Sequence, residues 1–217
     1  MFLHPLKLAL RLLVVAIVVL WVAHSFQRAL VAPLVPPIRA VVGLIQNNFT
    51  ILEMDVAHDG PNETLRVRAN LARPFSIGAT VVYPFGWKPG TEAWMVVNMT
   101  LGGVLQYVAL MFIAVLAWPV RSLRELAGRV VMTVPLAALL LMLQVPLSIL
   151  AELWAPLLSD FDPDAFSPLL LWSRFLEGGG GLAIALLLAV ITIFSCARRY
   201  EERSAAACPQ VAPVRSA

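Results

Sequence analysis

The sequence predicts an α-helical integral membrane protein: four transmembrane helices, with a small extracytoplasmic antiparallel β segment between the first and the second. Three observations carry this. Hydrophobic residues fill 60% of the 217 positions, charged residues only 13%, and the mean hydropathy is +0.83, outside the range of ordinary soluble domains. Four apolar runs approach the roughly 20 residues that a bilayer requires of a spanning helix. Between the first two lie residues 49–97, which hold Glu53, Asp55, Asp59, Glu63, Arg66, Arg68, Arg73, Lys88 and Glu92 and alternate where the flanking chain is continuously apolar.

Residues 1–30 read as an N-terminal signal-anchor helix. Lys7 and Arg11 precede an apolar run over 12–26. A basic start and apolar core also describe a cleaved leader, but no small-x-small site follows, and apolar character continues through Leu34. Pro33, Pro36 and Pro37 are expected to stop the helix. Residues 38–46 then form a short amphipathic piece on the outer surface.

Residues 31–98 make up the extracytoplasmic β-rich segment. Leu65, Val67, Ala69 and Leu71 alternate with Arg66, Arg68 and Asn70, a period of two with one apolar face. Residues 51–56 are a weaker partner strand, joined through the turn residues Asp59, Gly60, Pro61 and Asn62. Residues 77–83 and 93–97 are two further strands, giving a four-stranded sheet with one face against the membrane-proximal helices. Pro84, Gly86, Pro89 and Gly90 mark a loop, and Trp87 and Trp94 suit an interfacial position.

Residues 99–197 read as a three-helix membrane bundle with spans at 100–118, 130–150 and 178–197. Pro135 and Pro146 kink the middle one. Arg121, Arg124, Glu125 and Arg129 form a short basic loop, 151–177 an acidic loop with Trp154 and Trp172 near its ends, and 198–217 a disordered cytoplasmic tail. With both termini inside, the inner segments hold nine of the 16 basic residues and three of the 13 acidic ones. Basic residues concentrated in short loops beside spans favour that threading.

Gln106 and Gln144 are the amides well inside spans. Each lies about 9 Å below the outer surface at 1.5 Å per residue, so the two are expected to hydrogen-bond between adjacent helices as structural glue. Pro146 frees a carbonyl near Met142 that Gln144 or a water can satisfy. Asp160, Asp162 and Asp164 open like a calcium loop, but Ala165 stands at the glycine position, Leu171 at the closing glutamate position, and Pro163 intrudes. No metal site is therefore expected. Gly178 to Gly181 follow no strand, which argues for close helix packing or a hinge rather than a phosphate cradle.

Catalysis needs a convergent nucleophile and base or a carboxylate pair. His4, His24 and His58 are scattered, and Cys196 lies toward the inner side. No catalytic set and no cofactor are expected. The net charge of +3 and pI near 9.2 reflect orientation, because no basic cluster interleaves with aromatics as nucleic-acid binding would need.

The layout of one span, a small outer β segment and three further spans resembles the small membrane proteins associated with bacterial exosortases, closest to the exosortase H-associated type. The resemblance runs through Leu65-Arg66-Val67-Arg68-Ala69-Asn70-Leu71, through Tyr83-Pro84-Phe85-Gly86 leading into the second span, and through Leu141-Met142-Leu143-Gln144-Val145-Pro146. It implies a non-enzymatic accessory protein of the bacterial inner membrane, multi-pass with both termini cytoplasmic. The implied partners are membrane lipid and a membrane protein, an exosortase or its substrate. An exosortase itself needs a catalytic Cys near the outer face, and this chain has none there. Arg66, Arg68 and Arg73, with Trp87 and Trp94 as anchors, are the expected partner-binding residues. The alternative is a small membrane enzyme or solute carrier using the level of Gln106 and Gln144.

Overall fold

The computed structural model describes residues 5–59, 62–78, 80–84, 94–120, 122–163 and 165–207. Trp87, Arg121, Asp164 and Cys208 lie outside the described residues, as do 85–93, where the glycine- and proline-marked loop was expected.

The chain is mostly helical. Four helices are long and apolar enough to cross a membrane: Leu6–Ser25, Gln27–Ile45, Leu123–Phe161 and Pro168–Arg198. They are not the same four as the predicted spans. Leu101–Ala117, expected as the second span, has 17 residues and falls short of that length, whereas Gln27–Ile45 reaches it. The prolines explain the difference. After α1 (Pro5–Ser25) and α2 (Gln27–Val31), Pro33 sits in the first turn of a 3-10 segment, Ala32–Leu34, and Pro36 in that of α3 (Val35–Ile45). First-turn N–H groups have no intrahelical partner, so proline there removes nothing and the helical path resumes.

The β segment also departs from expectation. Strands β1 (Phe49–Asp59), β2 (Asn62–Leu71) and β5 (Met95–Thr100) form one antiparallel sheet in the order β1-β2-β5. The predicted single strand at 77–83 is instead part of a separate hairpin, β3 (Phe75–Ile77) and β4 (Thr80–Val82). Gly78, at φ 55°, breaks it, a conformation that only glycine adopts at little cost. The β1–β2 register runs from Phe49–Leu71 to Asp59–Asn62, so the turn falls where the sequence placed it. A bulge at Leu52 shifts that register between Ile51 and Glu53. The apolar phase of β1 therefore slips from Phe49 and Ile51 to Met54 and Val56, and this weakened the alternation in the sequence.

β5 passes without a linker into α4 (Leu101–Ala117). Thr100, the last strand residue, caps the helix by accepting from the Gly103 N–H at 3.3 Å. Helix α5 (Leu123–Phe161) follows, opened by Ser122 Oγ accepting from the Glu125 N–H. Its 39 residues span about 58 Å, roughly twice the thickness of a bilayer core. Most of the expected acidic loop is thus helix: the end of α5, then α6 (Pro168–Phe175), a π turn at Leu176–Gly180 that is kinked at Gly179 (φ 103°), and α7 (Gly181–Ala207). α7 runs well past Arg198, into the region read as tail.

Three contacts fix how the helices are threaded. Arg11 Nη2 donates to the Leu116 carbonyl at 3.2 Å, so the start of α1 lies beside the end of α4. Arg129 donates to the carbonyls of Trp118 and Pro119, holding the start of α5 at that same end. Tyr107 Oη donates to Leu176 O at 2.9 Å, and Met111, Val115, Ala185 and Ala189 continue the contact away from the sheet. The first and last helices therefore have their outer chain ends at the end of the bundle opposite the sheet. Counting from Arg129, Pro146 of α5 lies about level with Leu101, and roughly 22 Å of α5 project beyond α4. At that end Ile38 and Val42 of α3, Phe49, Leu65, Val67 and Leu71 of the sheet, and Ile149, Leu153 and Leu157 of α5 share one buried cluster.

Candidate functional site

The sheet has an inner face of Met54, Leu65, Val67, Ala69 and Val97, all buried, and an outer face set by the opposite phase of the same strands. Across the outer face the register aligns Glu53, Arg68 and Val96 in one row and Asp55, Arg66 and Asn98 in the next. Opposite charges directly across an antiparallel pair stabilise the register. The Leu52 bulge is what brings the two acids into step with the two arginines.

Arg68 is the most engaged of these residues. Its Nη1 lies 2.9 Å from Glu53 Oε2, its guanidinium sits 5.5 Å from the centre of the Trp94 ring, and its Nε is buried with no hydrogen-bond partner. Trp94 is 46% exposed and Val96 47%. The face thus presents an arginine stacked on an open indole with apolar surface beside it, the side-chain types that dominate protein–protein hot spots. Arg66 is half-buried in the neighbouring row, and Arg73 is exposed beyond the end of β2. The structure brings Arg66 and Arg68 onto one sheet face, with Trp94, just before β5, against Arg68; Arg73 stands outside the strand rows.

The two glutamines do not meet. Gln144 is buried on α5, and its Oε1 has no hydrogen-bond partner. Gln106 is exposed and lines an open cleft of about 430 Å³ between α1 and α4, together with His24, Gln27, Leu20 and Leu110. Helical phase separates them. Equal depth places two residues on one level, but the neighbour each faces depends on rotation about its own axis, at 100° per residue.

Glu125 and Arg129 are likewise not free loop charges. Arg129 is 2% exposed, hydrogen-bonded to Glu125 one turn earlier and to two carbonyls of the α4–α5 connection. A spacing of four between Glu125 and Arg129 on a helix places them on the same face, and the capping pattern Ser122-x-x-Glu125 could have moved the helix start forward in the sequence.

Sequence reasoning also missed Trp154, read as flanking an acidic loop. Its indole N–H donates to Gln46 Oε1 at 2.7 Å, and its ring meets Phe49 and Phe75 edge-on at 5.5 and 5.3 Å. It pins α3, β1 and β3 to the projecting part of α5. Among the described residues, no group of three or more His, Cys, Asp or Glu side chains could hold a metal ion. Asp162 instead packs beside the Gly78 turn, where an added Cβ would lie 3.2 Å from its Oδ2. Comparison with family models, with curated proteins and with solved structures finds no match for this chain.

Proposed function

We propose that this chain is a non-enzymatic accessory protein of a membrane, with α1, α4, α5 and α7 in the bilayer and the sheet held outside to dock a membrane-protein partner. The observation that carries the reading is the outer sheet face, where Arg68 stacks on exposed Trp94 beside Glu53 and Val96. The sheet runs into α4 without a linker and is clamped to α5, and such rigidity lowers the entropy cost of binding. At about 26 Å, α4 is close to the core thickness of a bilayer, and α1 exposes apolar side chains along its whole length. α3 packs instead on the projection of α5 and on β1, which supports placing it outside the bilayer with the sheet.

The partner class named by the sequence resemblance is an exosortase or a protein it sorts, in a bacterial inner membrane with both termini cytoplasmic. The test is a photo-crosslinking residue at Val96 in native membranes, with Arg68→Ala and Trp94→Ala as competing variants. The expected result is capture of an exosortase or a protein with a C-terminal sorting signal, lost in both variants. Empty capture from Val96, Arg66 and Arg68 positions in turn would remove the accessory role. Reporter fusions near Asn62 that behave as cytosolic would remove the threading.

A further inference from the structure

A second cavity lies on the other side of α5, away from the docking face. It measures about 400 Å³ and opens between the projecting part of α5, the α5–α6 connection and α6. Ala151, Ala155, Leu158 and Leu170 contribute apolar wall; the polar groups are Glu152, Ser159, Ser173, Arg174 and Glu177. Neither glutamate nor the arginine enters an ion pair among the described residues, although all three line one cavity. Ser173 Oγ donates to Glu177 Oε1 at 3.2 Å, which orients one carboxylate. Pro156 has no N–H, so the carbonyl of Glu152 lacks its helical donor and is a further acceptor beside the Glu152 side chain. One wall is thus rich in acceptors for an ammonium, and a single guanidinium faces the same space with two hydroxyls nearby.

The height of the cavity restricts its ligand. Pro146 marks the level where α4 begins, so Glu152 lies about 9 Å beyond that level. The end of α6 leads through the π turn back to Gly181, which packs on Tyr107 inside the bundle. On the membrane reading above, on which this inference rests, the Glu152 end of the cavity reaches the headgroup layer, which adds about 5–8 Å to each side of the hydrocarbon core, and the end at Ser159 opens farther out. We infer that it holds a zwitterionic phosphoethanolamine headgroup. The primary ammonium is taken by Glu152 and Glu177, and the phosphodiester by Arg174; the hydroxyl protons of Ser173 and Ser159 are already given to Glu177 Oε1 and to the Pro156 carbonyl. An ammonium with three N–H donors suits this acceptor set; a trimethylated one has no donor to offer.

The test is native mass spectrometry of the full chain, reconstituted in nanodiscs with equal parts phosphatidylethanolamine and phosphatidylcholine. The expected result is retention of phosphatidylethanolamine at least fivefold over phosphatidylcholine, a ratio of about 1 kcal/mol. The ratio falls to unity in Glu152→Gln/Glu177→Gln. In Arg174→Gln both lipids are retained less. Soluble glycerophosphoethanolamine that displaces the lipid at millimolar concentration would assign the site to the free headgroup and overturn a lipid site. Equal retention of the two lipids, or a preference unchanged in the double variant, would also overturn it. Failure of the chain to enter nanodiscs would refute the membrane reading instead, so the two failures are distinct. Circular dichroism of the double variant, expected unchanged because both glutamates are exposed, guards against loss of fold.

Discussion

Trp154 donates its indole N–H to Gln46 Oε1 at 2.7 Å across 108 residues of sequence. The bond closes a triangle between α3, α5 and the sheet, since the same indole meets Phe49 and Phe75. It adds a directional contact to the buried cluster that Ile149, Leu153 and Leu157 share with α3 and the sheet. Trp154→Ala is expected to cost about 3–5 kcal/mol. Trp154→Phe, which keeps a ring but leaves Gln46 without its donor, is expected to cost about 1–2 kcal/mol. Thermal unfolding in detergent, with proteolysis at the β segment as a local probe, measures both. An alanine variant as resistant as the parent would show that the sheet is held elsewhere.

The Glu125–Arg129 pair is buried where the α4–α5 connection turns. Breaking such a pair from one side leaves an unpaired buried charge, so Glu125→Gln is expected to lose about 3–5 kcal/mol. Replacing both with apolar residues, Glu125→Leu with Arg129→Met, should lose less than the single change. A double-mutant cycle on unfolding in mild detergent reads the coupling, and simple additivity would contradict the pairing.

Small residues let α7 approach α4. A Cβ on Gly181 would sit 2.4 Å from the Tyr107 ring, and one on Gly180 2.3 Å from the Phe175 ring, whereas Gly178 meets nothing within 4 Å. Gly181→Val is expected to destabilise by about 1–3 kcal/mol or more. Gly178→Ala should stay within about 0.5 kcal/mol of the parent. Equal effects at the two positions would refute close packing at this crossing.

Gln144 carries a buried carbonyl oxygen without a donor, and Gln106 faces a different helix. Gln144→Leu is therefore expected to be neutral or mildly stabilising, since it removes an unsatisfied buried group. Its coupling to Gln106→Ala should be near zero in a double-mutant cycle. A coupling of about 0.6 kcal/mol or more would restore the interhelical pair that equal depth predicts.

Much was legible in one dimension because it depends on local chemistry alone. Composition and run length announced helices of membrane-spanning length. The alternation of Leu65 to Leu71 announced β2 and its apolar face, and Asp59 to Asn62 announced the turn that pairs it with β1. Alternation alone put Arg66 and Arg68 on the face opposite Leu65 and Val67, because a period of two fixes a face from sequence spacing, whereas Trp94 was read only as suited to an interfacial position.

What the sequence determined by itself is what hydrophobic periodicity and turn chemistry encode within about ten residues. Tertiary structure decided the rest. Which side of α4 Gln106 faces, whether Arg129 is a loop cation or a buried one, and whether Trp154 flanks a loop or clamps a sheet all depend on helix rotation and on contacts between residues far apart in the chain. The prolines show the same divide. A proline ends a helix or begins one according to its position in the turn, and that position is set by the packing of α3 against α5 and β1, which no short stretch of sequence contains.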